Sequence, residues 1–261
     1  FAVPAAPAAR STVVIHETTA FTSLNTGTPD TNLTTNTDIA YMTGMGFNYY
    51  DDKKNLVANT VLGSYKVVKN KSNDFETTWT VNPGRVWSDG TPITGEDLML
   101  GIVLNSSKYS IKAGLGDPND EKNPPAFNSI SYGGTLDNHV VGLPVLSADK
   151  MSVTLKFDAP IPNWDLYGPG VFPVHTLVAL ANGKTSLLSS ADAKAAKEAF
   201  VKAVTSYDTA TLKKYAKIWN ESYNITKIDS STKIDIIQDL YKNIIQLQES
   251  LNKTINFINT I

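Results

Sequence analysis

Hydrophobic and polar positions alternate with period two in three stretches, and side chains of a strand point to opposite faces with that period. Phe75, Thr77, Trp79 and Val81 share one face of a strand predicted over 76–81. The segment 64–69 alternates as well, and the polar residues 70–74 between the two predict an antiparallel hairpin. Met151, Val153, Leu155 and Phe157 alternate with Ser152, Thr154 and Lys156 in a third strand. The β-branched run Thr-Val-Val-Ile-His at 12–16 predicts a buried strand, expected to pair with residues beyond 150. Helical spacing appears next. Leu98, Met99, Ile102 and Val103 predict a helix over 95–107, with Thr94 and Asp97 placed like a capping box. Ser190 is positioned to cap a helix over 191–206, and Asp208 one over 209–220 that buries Leu212, Tyr215 and Trp219.

Between these elements the pattern dissolves. Residues 18–38 are rich in Thr, Asn and Asp and read as a long ordered loop; 113–144 read as a surface excursion around one short strand. Residues 1–10 read as an Ala/Pro linker of the kind that follows a removed export signal or a surface anchor. After Ala216 no Ala, Gly, Pro or Val recurs, and Ile237, Ile244, Leu251 and Ile258 repeat every seven residues. With Leu240, Leu247 and Ile261 they predict a heptad-patterned helix over 226–261, which either self-associates through 234–261 or docks on its own domain.

Composition narrows the function. Of 261 residues, 23 are basic and 25 acidic, so no global positive field exists for a nucleic acid. Cys is absent, which removes disulfides, thiolate metal sites and thiol nucleophiles. Catalytic and metal motifs fail at specific positions. Gly183-Lys184-Thr185 lacks the earlier Gly of a phosphate loop, because Val178 stands there. His16-Glu17 has Ala20 where a zinc-protease helix needs its second His. Asp117, Asn119 and Glu121 alternate as in a calcium loop, but Lys122 and Asn128 replace its Gly and its bidentate Glu. His16, His139 and His175 show no ligand spacing, and no Gly-x-Ser-x-Gly elbow occurs. Nothing points to an enzyme or a cofactor. Aromatics in or beside loops, among them Tyr41, Tyr49, Tyr50, Trp87 and Trp164, could line a ligand cleft or fill the core.

One longer motif remains. Val86-Trp87-Ser88-Asp89-Gly90-Thr91-Pro92-Ile93-Thr94-Gly95-Glu96-Asp97 resembles the Trp-Ser-Asp-Gly-x-Pro-x-Thr-x-x-Asp signature of family 5 extracellular solute-binding proteins, the oligopeptide- and dipeptide-binding components of bacterial ABC importers. Thr22-Ser23-Leu24-Asn25, Asp51 to Val57, Thr78 to Val81, Ser152 to Leu155 and Pro173-Val174-His175 follow in the family's order, with Thr26 replacing a usual Pro. The resemblance covers about 11–225, roughly the N-terminal half of a complete member. It implies an α/β, periplasmic-binding-protein-like fold of the peptide-binding class: a β-rich lobe over 40–150 inserted in an incomplete first lobe formed by 11–39 and 151–225. It further implies an extracellular or periplasmic, surface-tethered protein that takes an oligopeptide ligand and meets the membrane subunits of an ABC transporter. Asp30, Thr31, Asn32, Leu33 and Thr34 align where the family's first lobe presents backbone to the peptide. The motif itself, made of a turn, a Pro and a helix cap, reads as a determinant of fold. In complete members of that family a third lobe follows this region, and without it ligand binding is expected to be impaired. The alternatives are a non-transport surface receptor assembled through its C-terminal helix, or a binder of nickel or another small solute.

The heptad stripe gives the first prediction. With Ile255 the stripe holds eight Leu and Ile side chains, and such a row left exposed is a patch that soluble monomers rarely tolerate. Sedimentation of the full chain beside a version ending at Asn224 should show either a larger assembly for the full chain or lower stability and solubility for the shorter one. Two equally stable monomers would refute a role in assembly or core.

Overall fold

A computed structural model describes Val14, residues 16–23 and residues 25–222. The linker at 1–10, most of the strand expected at 12–16 and the heptad segment at 226–261 lie outside the described residues. The fold is mixed α/β. In sequence order it comprises α1 (Thr34–Thr43), β1 (Asn48–Tyr50), β2 (Leu56–Ala58), β3 (Gly63–Lys71), β4 (Asp74–Val81), α2 (Glu96–Leu104), α3 (Ser107–Lys112), α4 (Thr135–His139), β5 (Val145–Leu146), β6 (Ser152–Phe157), α5 (Val174–Ala181), α6 (Ser190–Thr205) and α7 (Thr209–Ser222).

The main sheet has the order β3-β4-β6-β5, with every neighbour antiparallel. The hairpin expected at 64–81 is the β3–β4 pair, closed by the two residues Ser72 and Asn73 between Lys71 and Asp74. Strand β4 alternates as its sequence demands: Phe75, Thr77, Trp79 and Val81 are buried while the residues between them are only half-buried. On that inner face Tyr65 lies opposite Trp79 in register, and their rings stack at 4.5 Å; Phe47 and Trp164 meet the same indole edge-on. Such ring pairs stabilise by about 0.5–1.5 kcal/mol each beyond the area they bury. On the outer face Thr78 and Thr154 share a cross-strand hydrogen bond of 2.8 Å.

Helices α2, α5, α6 and α7 pack on one another beside this sheet, and a continuous core runs from Phe47 to Trp219. Every residue of α2 is buried, including Glu96 and Asp97. Gly101 lets the backbone of Gly170 approach: a Cβ at position 101 would sit 2.6 Å from the Gly170 nitrogen.

Several expectations are corrected. The loop expected over 18–38 becomes helix at Thr34, and α1 escaped the pattern because its buried residues, Thr35 and Asn36, are polar. Asn36 makes that burial possible. Its Oδ1 accepts from the Thr22 amide at 2.9 Å, and its Nδ2 donates to the Thr31 carbonyl at 2.9 Å. The helix expected over 95–107 breaks at Asn105, and Ser106 caps a new helix by accepting from the Tyr109 amide. Only half of the capping box forms: Asp97 accepts from the Thr94 amide, while the Thr94 hydroxyl donates to Glu96 instead. Ser189, not Ser190, caps α6 through the Asp192 amide. The excursion at 113–144 contains the short helix α4. Strands β5 and β6, which precede and follow residue 150, are neighbours in one sheet.

In an open helix Gly→Ala adds helix propensity of about 1 kcal/mol. At position 101 the sign should reverse. Gly101→Ala is expected to destabilise the protein by about 1–3 kcal/mol through overpacking against Gly170. Urea unfolding measures it, and an unchanged or higher midpoint would contradict the close approach.

Candidate functional site

The 86–97 segment folds back on itself. Val86 and Pro92 form an isolated antiparallel bridge, and the Trp87 amide donates to the Thr91 carbonyl at 2.8 Å. Gly90 closes this three-residue turn at φ +85°, a conformation that favours glycine. Asp89 stabilises the turn by accepting from the Thr91 amide at 2.9 Å. Its other oxygen lies 2.9 Å from His175 Nε2, in the first turn of α5. Burial pushes the Asp89 carboxyl up, but the Thr91 amide and His175 outweigh it and leave the pKa below the ordinary value. His175 is itself buried, and its Nδ1 has no hydrogen-bond partner.

Asp97 stands at the centre. Its side chain has no solvent exposure, and Oδ2 accepts from the Thr94 amide at 3.0 Å and from Trp87 Nε1 at 3.4 Å. Oδ1 accepts from the Val174 amide at 3.3 Å, and the Lys197 ammonium of α6 pairs with Oδ2. Burial raises the Asp97 pKa, and the Lys197 charge and the surrounding N–H donors oppose that rise. Lys197 also donates to the Pro92 carbonyl at 2.6 Å and to Thr94 Oγ1 at 3.0 Å, so all three of its protons are used. Sequence reasoning missed this lysine. The signal was there: Lys197 falls with Ala193, Ala196, Phe200 and Val204 on the buried stripe of α6, where an unpaired ammonium would be costly.

The expected ligand residues lie elsewhere. Asp30, Asn32, Leu33 and Thr34 are exposed at the start of α1, and Thr31 is buried. The amides of Thr31 and Asn32 both donate to the Thr28 carbonyl, and the Leu33 amide donates to the Thr31 carbonyl. The Thr31 hydroxyl is bonded to Thr28 Oγ1 and the Asn25 carbonyl. This segment is a tight turn into a helix, in which the Thr31, Asn32 and Leu33 amides are already used.

About 15 Å away, the length of a ten-residue helix, the other end of α1 borders a groove of about 570 Å³. Tyr41, Met45, Tyr49 and Tyr50 line it, all exposed, and Met42 and Val61 are exposed nearby in the sequence. Tyr41 Oη accepts from the Tyr50 amide at 3.1 Å, which fixes α1 against the free edge of β1. A second cleft of about 380 Å³ lies between the 90–94 turn, Lys150 and the first turns of α6. Among the described residues, no group of three or more His, Asp and Glu side chains could hold a metal. In the calcium-like run Asp117 instead accepts from the Asn119 amide within its own turn. No described helix is long and apolar enough to cross a membrane.

No protein-family model matches the sequence, and no curated protein matches it. Solved structures that are similar in part include two binding proteins. A periplasmic EDTA-binding protein, EppA, is 17% identical over 65% of this chain and 28% of its own, with a TM-score of 0.46. An oligopeptide-binding protein from Thermus thermophilus, complexed with a pentapeptide, is 19% identical over 69% of this chain and 29% of its own, with a TM-score of 0.38. The matched region spans less than a third of the length of either structure.

Removing one partner of a buried ion pair leaves the other charge uncompensated, at a cost of about 3–5 kcal/mol. Lys197→Met and Asp97→Ala should each destabilise the fold by about that amount. The double variant should lose clearly less than the sum, because the second change no longer strands a charge. Additive losses in urea unfolding would show that the two side chains do not act as a pair.

Proposed function

We propose that this protein is part of a substrate-binding component of a bacterial peptide importer. The observation that carries the reading is the meeting of two separately matched motifs. The 87–97 segment and Pro173-Val174-His175 are far apart in sequence, yet Asp97 accepts from the Val174 amide and Asp89 pairs with His175. A chance match to either motif gives no reason for such joint packing. On this reading the protein works outside the cytoplasmic membrane, delivers an oligopeptide to the membrane subunits of an ABC transporter and carries out no chemistry. Residues 30–34 would then meet the ligand chiefly through the side chains of Asp30, Asn32 and Thr34, given that the Thr31, Asn32 and Leu33 amides are occupied. Backbone pairing, which gives affinity independent of peptide sequence, would have to come from another segment.

A second reading has its own support. The exposed Tyr41, Met42, Met45, Tyr49 and Tyr50 form an adaptable surface of the composition found at protein interfaces. This favours a surface receptor or interaction protein that keeps the scaffold of a binding protein without transporting a solute.

Calorimetry of the protein with a random oligopeptide mixture, with a nickel chelate and with buffer separates these readings. Weak heat from peptides that falls further when Asp30 and Asn32 are both changed to Ala is the expected result, and it would put the ligand at the start of α1. Heat from the chelate alone moves the substrate class to small solutes. Silence in both arms from a folded protein overturns solute binding and favours the interaction reading.

A further inference from the structure

Helix α5 ends in a Schellman motif. The Gly183 amide donates to the Leu180 carbonyl at 2.9 Å, and the Lys184 amide donates to the Ala179 carbonyl at 2.9 Å. Gly183 holds the left-handed position at φ +72°, and the residue before it, Asn182, is the exposed C-cap. Asn182-Gly183 is the sole Asn-Gly pair in all 261 residues.

We propose that Asn182 is a site of spontaneous covalent modification, at which its side-chain amide is lost through a succinimide and the cap of α5 sets the rate. The reaction needs no partner but water. The Gly183 nitrogen, after giving up its proton, attacks Cγ of Asn182. A bond forms between Cγ and that nitrogen, the bond from Cγ to Nδ2 breaks, and the amide leaves as ammonia with the proton. Water then opens the ring. Attack at Cγ restores the original backbone and leaves an aspartate, while attack at the backbone carbonyl routes the backbone through Cγ as an isoaspartate. Glycine is the neighbour that permits this, because it lacks a Cβ to crowd the nucleophile.

The structure adds the control. The attacking nitrogen is the donor of one of the two cap bonds, so the cap must open before the ring can form. Helix ends open locally at far lower cost than cores do, which makes the reaction slow without forbidding it. Either product then acts on the fold. A carboxylate at a helix C-terminus opposes the helix dipole, and the isoaspartate inserts an extra methylene between Asn182 and Gly183, a length that the two cap bonds do not accommodate. Helix α5 also carries Val174 and His175, so loosening its far end acts on the element that holds Asp97 and Asp89.

The test is incubation of the full-length protein at mildly alkaline pH, with peptide mass spectrometry that reads amide loss at each Asn. Asn105 and Asn128, each followed by Ser, are internal references. Position 182 should be modified first, and Asn182→Gln should abolish that signal. A synthetic peptide spanning 178–187 should react about tenfold faster than the folded protein, the factor for an opening cost of about 1.4 kcal/mol. If Asn105 or Asn128 is modified before Asn182, the site assignment is wrong. If the folded protein and the peptide react equally fast, control by the cap is wrong.

Discussion

A carboxylate with no access to water has to find all of its donors within the protein, and Asp97 finds them in three segments. The turn before α2 supplies Thr94 and Trp87, the start of α5 supplies the Val174 amide, and α6 supplies the Lys197 ammonium. Placing both charges in the interior costs several kcal/mol per ion before their attraction is counted. The arrangement therefore stabilises little by itself and instead discriminates between packings. Any packing of α2 against α5 and α6 that leaves a donor unmade strands a buried charge, while the observed one satisfies every proton of Lys197 and both oxygens of Asp97. One carboxylate thus makes three helices interdependent, and the Gly90 turn and Asp89–His175 contact extend the same constraint to the surface.

What the sequence made legible follows from which residues carry a periodic signal. Strands β3, β4 and β6 and helices α6 and α7 bury apolar side chains on one face, so period two or 3.6 could be read directly from the residues. Helix α1 is the opposite case. Its inward face is Thr35 and Asn36, held by side-chain hydrogen bonds to the 19–31 segment, and a helix built on polar contacts leaves no hydrophobic period to detect. Strand pairing was hidden for a related reason. Strand β6 alternates well as an isolated strand, but nothing in that alternation says that its partner is β4, some seventy residues earlier. Pairing partners are set by the whole sheet, and only local contacts are written locally.

The functional residues divide in the same way. Asp89 and Asp97 could be singled out because a turn and a helix cap have short-range signatures, whereas Lys197 could not be joined to them from spacing alone. The segment at 30–34 was placed by resemblance, and the local geometry changes what it can offer. Three successive amides that donate to Thr28 and Thr31 cannot also pair with an extended peptide. A ligand met there would rely mainly on side chains, which is a more selective mode than backbone pairing.

This bears on how the motif and a binding surface can coexist. The inward Asp89 and Asp97 carboxylates of the 87–97 segment are spent on its own amides and on Val174, His175 and Lys197, so they offer nothing to a ligand even though this is the most distinctive stretch of the sequence. Open valence and adaptable apolar surface occur instead along α1, with free side chains at its first turn and Tyr41, Met45, Tyr49 and Tyr50 at its last. That helix is also the element whose burial rests on Asn36 and threonines, not on a hydrophobic stripe. Hydrogen bonds of this kind contribute about 0.5–1.5 kcal/mol each, less than the side-chain burial that fixes α2 and α6. On either functional reading, recognition then falls to the part of the fold that is cheapest to shift, supported on a core whose geometry is set by a buried charge that tolerates no shift at all.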